Sequence, residues 1–220
     1  MNIEKARFNM IEQQIRPWDV LAPDVLELLT VVKREAFVPP AYKSLAFVDT
    51  EIPLPGGEYM FAPKVEARIL QELAIKKHET ILEIGAGSGY MAALLAYKGR
   101  FVTTVEIDPA LKAMAQKNLA DYGVANVEVA LGNGAQGWSN AGSEAPYDVI
   151  VISGSLPVLP DTFLKQIKVG GRIFAIVGES PVMSAQIITR VSDAAWNTIK
   201  VFETDEKPLR EALTPSHFVF

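Results

Sequence analysis

The segment "ILEIGAGSGY", residues 81–90, carries three glycines alternating with Ala86 and Ser88, directly after an apolar run that ends at Glu83 and Ile84. Glycines at such spacing let a backbone approach a ligand closely, because no Cβ stands in the way. About twenty residues on, Glu106 closes a second apolar run, where a carboxylate can accept both hydroxyls of a ribose. Further along, "GNGAQGW" (132–138) offers Asn133, whose amide oxygen can accept from an adenine amino group. The dipeptide Asn133-Gly134 equally favours a plain turn. Together these residues point to a site for an adenosine-containing ligand.

The glycine register narrows the ligand. A phosphate-binding Walker loop ends in Gly-Lys-Ser/Thr, whereas Tyr90 follows the last glycine here. A dinucleotide fingerprint spaces its glycines G-x-G-x-x-G, which Gly85 and Gly87 fit and Tyr90 breaks. The third glycine sits one residue early, at Gly89. Glu106 suits either kind of adenosine ligand and does not choose between them.

Other chemistry is sparse. There is no cysteine, so disulfides, thiolate metal sites and cysteine nucleophiles are excluded. Of the two histidines, His78 in "IKKHET" reads as a solvated helix-end residue and His217 as structural. No carboxylate cluster for a metal is evident, and no metal is expected. A carboxylate as acceptor would suit this shortage of bases, because it is already ionised at neutral pH.

The elements that must hold these residues are legible in the patterning. "TILEI", "FVTTVEI", "VEVAL", "YDVIVIS" and "GGRIFAIVG" read as strands, alternating with helical "YMAALLAY", "PALKAMAQKNLADYG" and "LPDTFLKQI". This alternation predicts an α/β fold, a doubly wound and mostly parallel sheet with helices on both faces. Further strands are expected at "AQIITRV", "NTIKVFET" and the terminal "HFVF". Residues 1–77 differ in texture. "RFNMIEQQI", "APDVLELLTVV" and "APKVEARILQELAI" read as amphipathic helices, separated by an irregular proline-rich stretch. A length of 220 residues is expected to form one domain, with an N-terminal helical and acceptor-loop region (1–77) and an α/β core (78–220).

The formal net charge is -5 with no long basic cluster, which argues against a nucleic-acid partner. No apolar stretch reaches membrane-spanning length, and "MNIEKARFNM" lacks the apolar core of a signal peptide. A cytoplasmic location is the resulting expectation. Oligomeric state is not readable from the chain.

The register of Gly85, Gly87 and Gly89 after Glu83 resembles motif I of the class I S-adenosylmethionine-dependent methyltransferases. A more specific resemblance runs through "MIEQQIRPWDVL", "VKREAFVP", "AFVDTEIPLPGGEYM" with the following "AP", "ILEIGAGSGYMAALLA" and "VGGRIFAIVG". In order, these are similar to segments of the protein-L-isoaspartate O-methyltransferases, over nearly the whole chain. That resemblance implies S-adenosyl-L-methionine as methyl donor, S-adenosylhomocysteine as product, and a seven-stranded sheet. The implied cofactor residues are Glu83, Gly85, Ala86, Gly87, Ser88, Gly89, Glu106, Ile107, Asn133, Gly134 and Ala135. The implied acceptor is the α-carboxylate of an isoaspartyl residue in a damaged polypeptide.

In that family the loop before "AP" reads roughly Gly-Gln-Thr-Ile-Ser, and its serine lies beside the reacting methyl. Here Gly57 is followed by Glu58, Tyr59, Met60 and Phe61. Loss of the serine predicts intact cofactor binding with weakened isoaspartyl methylation, and Tyr59 is a candidate substitute donor. Two other readings stay open on the residues: a relative acting on another acceptor, and a non-catalytic cofactor-binding protein. A bulky residue at Gly87 or Glu106→Ala is expected to weaken cofactor binding. Asn133→Ala is expected to weaken it too, and Asn133→Asp to leave it unchanged or improve it.

Overall fold

Prolines start three of the six α-helices among the described residues. In a computed structural model describing residues 2–139 and 146–215, α2 (Pro23–Val31), α3 (Pro63–Leu73) and α5 (Pro109–Tyr122) each carry proline in the first turn, where its missing N–H costs nothing. The first helix, α1 (Ile3–Met10), is capped by Asn2, whose side chain accepts from Lys5 N at 3.0 Å. It continues through a wider π turn at Ile11–Ile15 and a tight turn at Arg16–Trp18. The proline-rich stretch that follows α2 forms tight helical turns and a small antiparallel hairpin of β1 (Ile52–Pro53) and β2 (Tyr59–Met60).

The main sheet holds β3 (Thr80–Ile84), β4 (Phe101–Glu106), β5 (Val127–Leu131), β6 (Tyr147–Leu156), β7 (Ile167–Glu179), β8 (Val182–Ser192) and β9 (Ala195–Thr204). Its order is β5-β4-β3-β6-β7-β8-β9. The pairs from β5 to β7 are parallel, and β8 and β9 add an antiparallel edge. Strand order therefore reverses at β3, where α4 (Tyr90–Lys98) leads to one side and β6 lies on the other. Ligands of such sheets bind outside the carboxyl ends of the strands at this reversal. The expected terminal strand "HFVF" and His217 lie outside the described residues.

Alternation along the central strands fills two cores. Val149, Val151, Phe174 and Ile176 face a layer that contains α3, α4, α5 and the N-terminal helices. Ile150, Ile152, Ile173 and Ala175 face α6 (Asp161–Gln166) through Phe163. Residues Met10, Ile15, Leu29 and Phe37 share the first cluster, so the N-terminal region and the sheet bury one continuous apolar body. Arg172 on β7 ties this layer to the sheet through a bidentate pair with Glu79 (2.6 and 2.9 Å) and a 2.6 Å bond to the Leu73 carbonyl. His78 is exposed in the turn before β3, past the end of α3. Among the described residues no helix is long and apolar enough to cross a membrane.

Candidate functional site

The glycine loop joins β3 to α4. Gly85, Gly87 and Gly89 all have positive φ (96°, 50° and 84°), a conformation that side chains disfavour. At Gly85 space is also closed, since a Cβ would sit 2.8 Å from the Ser153 carbonyl oxygen. The loop is held from below by the strand beside it. Gly85 N donates to the Val105 carbonyl at 2.8 Å, and Gly87 N donates to Glu106 Oε2 at 2.9 Å. The other oxygen of Glu106 accepts from Asp108 N at 3.0 Å. Glu106 is thus a fixed carboxylate that shapes the loop and still has lone pairs to offer a ligand.

Around this loop opens a cleft of about 940 Å³, counting the solvent at its mouth. It is lined by Glu83, Gly85, Ala86, Gly87, Ser88, Glu106, Ile107, Asn133, Gly134 and Ala135 from the carboxyl ends of β3, β4 and β5. Tyr59, Met60 and Phe61 form the opposite wall. Gly89 is not part of the lining. It caps α4, and a Cβ there would lie 3.2 Å from the Ala115 carbonyl oxygen and the Leu119 side chain, so it sets the approach of α4 to α5.

Glu83 is fully buried. Its Oε1 accepts from Ser153 Oγ at 2.9 Å, the Thr104 hydroxyl on the neighbouring strand also lies beside the carboxyl, and Oε2 makes no hydrogen bond of ordinary geometry. Burial pushes this carboxyl up to about 8. A buried carboxyl with one oxygen left over, beside a ligand-sized cleft, becomes an ionised acceptor when a cationic group of the ligand approaches it.

Asn133 behaves differently from the expectation. Its Oδ1 accepts from Ala135 N at 2.9 Å, closing a turn, and its Nδ2 donates to Glu211 Oε2 at 2.7 Å. The amide donor is held by Glu211 and the oxygen spends one lone pair on its own turn, which leaves the second lone pair to offer the cleft that the residue borders. This reverses the expected effect of Asn133→Asp, which removes the donor and sets a carboxylate against Glu211. Both Asn133→Asp and Asn133→Ala are expected to weaken S-adenosylhomocysteine binding a few-fold by calorimetry. Glu211→Gln should restore the aspartate variant but not the alanine one.

The second wall is anchored by a buried ion pair. Arg34 and Glu66 are both buried and hydrogen-bonded to each other, and Arg34 Nη2 donates to the Phe61 carbonyl at 2.7 Å. Burial pushes Glu66 up to about 8, against the pull of the guanidinium. Phe61 is only 9% exposed, so its ring belongs at once to the cleft wall and the main core. Tyr59 is 48% exposed, and Met60 is buried.

Sequence reasoning missed one whole side of the cleft. Ser153 and Gly154 at the end of β6, and Glu206 to Arg210 beyond β9, also line it. The segment after β9 is pinned there, because Ser155 N donates to the Lys207 carbonyl at 3.0 Å and Leu209 N to the Ser155 carbonyl at 2.9 Å. The proline and dense charge of "DEKPLRE" mark it as a loop, but nothing local indicates that it returns to β3.

A model of the protein-L-isoaspartate(D-aspartate) O-methyltransferase family matches residues 5–206. Protein-L-isoaspartate O-methyltransferase 1 of Rhodopseudomonas palustris (strain HaA2) is 38% identical over 194 residues, 88% of this chain and 77% of that protein. A solved Plasmodium falciparum structure, named as a protein-L-isoaspartate O-methyltransferase in complex with S-adenosyl-L-homocysteine, is 18% identical with a TM-score of 0.80, covering 96% of this chain and 99% of that one. A second solved protein-L-isoaspartate O-methyltransferase is 24% identical with a TM-score of 0.78, covering 94% of this chain. This chain spans 65% of that longer one, slightly under two thirds. At these identities the two structures share the fold. Because the family match extends through the N-terminal helices, the loop at Glu58 to Phe61 and the glycine loop, the chain belongs to the protein-L-isoaspartate(D-aspartate) O-methyltransferase family.

Proposed function

We propose that this protein is an S-adenosylmethionine-dependent O-methyltransferase that esterifies the α-carboxylate of isoaspartyl residues in proteins, the first step of their repair. The observation that carries the reading is the family match across residues 5–206, which includes both the glycine loop and the loop at Glu58 to Phe61. A cytoplasmic setting is part of the same proposal.

The residues present fit the cofactor. Glu83, with its unpartnered oxygen, would hold the amino group of the methionine arm, and Gly85 to Ser88 would pass it closely along their backbone. Glu106 would accept from the ribose, and Gly134 and Ala135, both buried, would face the adenine. When bound, S-adenosylmethionine supplies a methyl group on a positively charged sulfur. The acceptor carboxylate is ionised at neutral pH, so no side chain has to remove a proton from it. What the chain contributes is alignment and exclusion of water, with Phe61 and Met60 as the apolar wall.

The direct test is transfer of radiolabelled methyl to an isoaspartyl peptide beside its aspartyl counterpart. Label is expected on the isoaspartyl peptide alone. Intact cofactor binding without any transfer would overturn the reading.

Phe61 gives a two-sided prediction. Truncating a buried phenylalanine costs about 3–5 kcal/mol, so Phe61→Ser is expected to lower the melting temperature substantially. The same change sets a hydroxyl donor on the cleft wall, and kcat/KM for the isoaspartyl peptide is expected to rise. An unchanged kcat/KM would show that no donor is wanted at that position.

A further inference from the structure

The described residues lining the cleft include six carboxyl side chains, Glu51, Glu58, Glu66, Glu83, Glu106 and Glu206, and two cations, Lys207 and Arg210. Burial raises Glu66, Glu83 and Glu206 to about 8, so the lining is less anionic than that tally, but the two cations are still the groups to which an anionic acceptor is drawn. Both are held by one internal carboxylate. Lys207 Nζ lies 2.9 Å from Glu58 Oε1, and Arg210 Nε lies 2.7 Å from the same oxygen. We propose that Lys207 and Arg210 form the binding site for the acceptor's carboxylate, and that Glu58 occupies it as an internal substitute until an acceptor displaces it. This rests on the reading of the protein as a carboxyl methyltransferase.

The surroundings suit an exchange of one carboxylate for another. The backbone that carries the two cations is fixed on the rim by the Ser155 bonds to Lys207 and Leu209. Arg210 has a second anchor, with Nη1 3.1 Å from Asp108 Oδ2. Asp108 is itself set in place, because its Oδ1 accepts from Ala110 N and Leu111 N at the start of α5. Losing Glu58 therefore leaves the guanidinium in position.

The backbone around Glu58 is tied to the same cations, since Lys207 Nζ donates to the Gly57 carbonyl at 2.8 Å and Arg210 Nη2 to the Gly56 carbonyl at 3.1 Å, so the exchange requires only the Glu58 side chain to turn away. The site is partly open, with side-chain exposures of 22% for Glu58, 43% for Lys207 and 36% for Arg210. On exchange the outgoing carboxylate regains water while the incoming one loses it, so the desolvation costs largely offset.

The experiment measures KM and kcat for an isoaspartyl peptide, together with calorimetric binding of that peptide to the protein saturated with S-adenosylhomocysteine. Glu58→Gln keeps the size of the side chain and removes its charge. It is expected to lower KM and peptide Kd by about fivefold or more, with kcat little changed. Lys207→Met and Arg210→Met are each expected to raise both by about tenfold, and Lys207→Arg, which keeps the charge, by less than Lys207→Met. In a Lys207→Met/Arg210→Met background the gain from Glu58→Gln should vanish. A gain of equal size in both backgrounds, or no gain in either, overturns the proposal while leaving the methyltransferase activity standing. If the parent transfers no methyl to the peptide, the activity reading falls instead. Calorimetry then still decides: tighter peptide binding by Glu58→Gln that depends on the two cations supports the site, and its absence refutes it.

Discussion

Arg34→Met is expected to destabilise the protein by about 3–5 kcal/mol, the usual effect of removing one partner of a buried ion pair. For a chain of this size that corresponds to a fall in melting temperature of roughly 10 °C. The loss has three parts. Glu66 is left as a buried carboxyl without its cation, the Phe61 carbonyl loses its donor, and the Tyr90 ring loses the guanidinium 5.3 Å from its centre. The pH dependence has a definite sign. Glu66 sits above its unfolded value of 4.5 already, at about 8, and losing Arg34 raises it further. The folded state then holds a proton that the unfolded chain releases, so the stability from this group is full below 4.5 and is lost as pH rises through 8. The deficit of Arg34→Met should therefore be smallest in mild acid and largest above pH 8. Urea unfolding at pH 6 and pH 9.5, on either side of that value, measures it. Arg34→Met/Glu66→Leu is expected to recover much of the loss, because a well-packed apolar pair replaces the unpaired buried carboxyl. An equal deficit at both pH values would show that Glu66 is not the group left stranded.

The sheet was legible because its signals are local. Each parallel strand is a short β-branched run, and each helix between them begins or ends on proline, glycine or aspartate, as at Pro109, Asp108 and Gly123. The glycine loop was legible for the same reason, since positive φ and close packing demand glycine in place. Gly89 shows the limit. Its spacing reads as part of a ligand loop, yet its glycine is required by the neighbouring α5, which periodicity alone cannot reveal. Asn133 shows a second limit, because an amide that can bind adenine can equally close its own turn and hold Glu211. The far side of the cleft was not legible at all. Arg210 reaches the Gly56 carbonyl across 154 positions of sequence, and the Ser155 bonds that bring it there depend on the completed sheet. Glu51, Glu66 and Glu206 likewise become cleft residues only through tertiary packing.

Glu83→Gln is expected to weaken S-adenosylhomocysteine binding by about a hundredfold, since one unmatched charge-assisted bond to a buried group costs a few kcal/mol. The mechanism predicts a signature beyond affinity. In the free protein burial holds the Glu83 carboxyl at about 8, so at pH 7 it carries a proton. The amino group of the ligand is an ammonium at that pH and favours the ionised carboxylate, so binding must expel that proton. Calorimetry in two buffers of different ionisation enthalpy should show release of about one proton per ligand at pH 7. Release should fade above pH 8, where Glu83 is already ionised, and be absent in Glu83→Gln. Stability moves the opposite way. The raised carboxyl contributes stability that is full below 4.5 and lost as pH rises through 8, whereas the neutral amide has no such loss. Glu83→Gln without ligand should consequently melt a few degrees higher than the parent at pH 8.5, and about equally at pH 4.5. A variant that binds weakly yet releases the same proton would assign that proton to another group, with Glu206 the first to test because it too is raised to about 8 and lines the same cleft. A variant that binds as tightly as the parent would mean that the unpartnered oxygen of Glu83 is not where the ligand's charge is met, and the placement of the methionine arm would have to change with it.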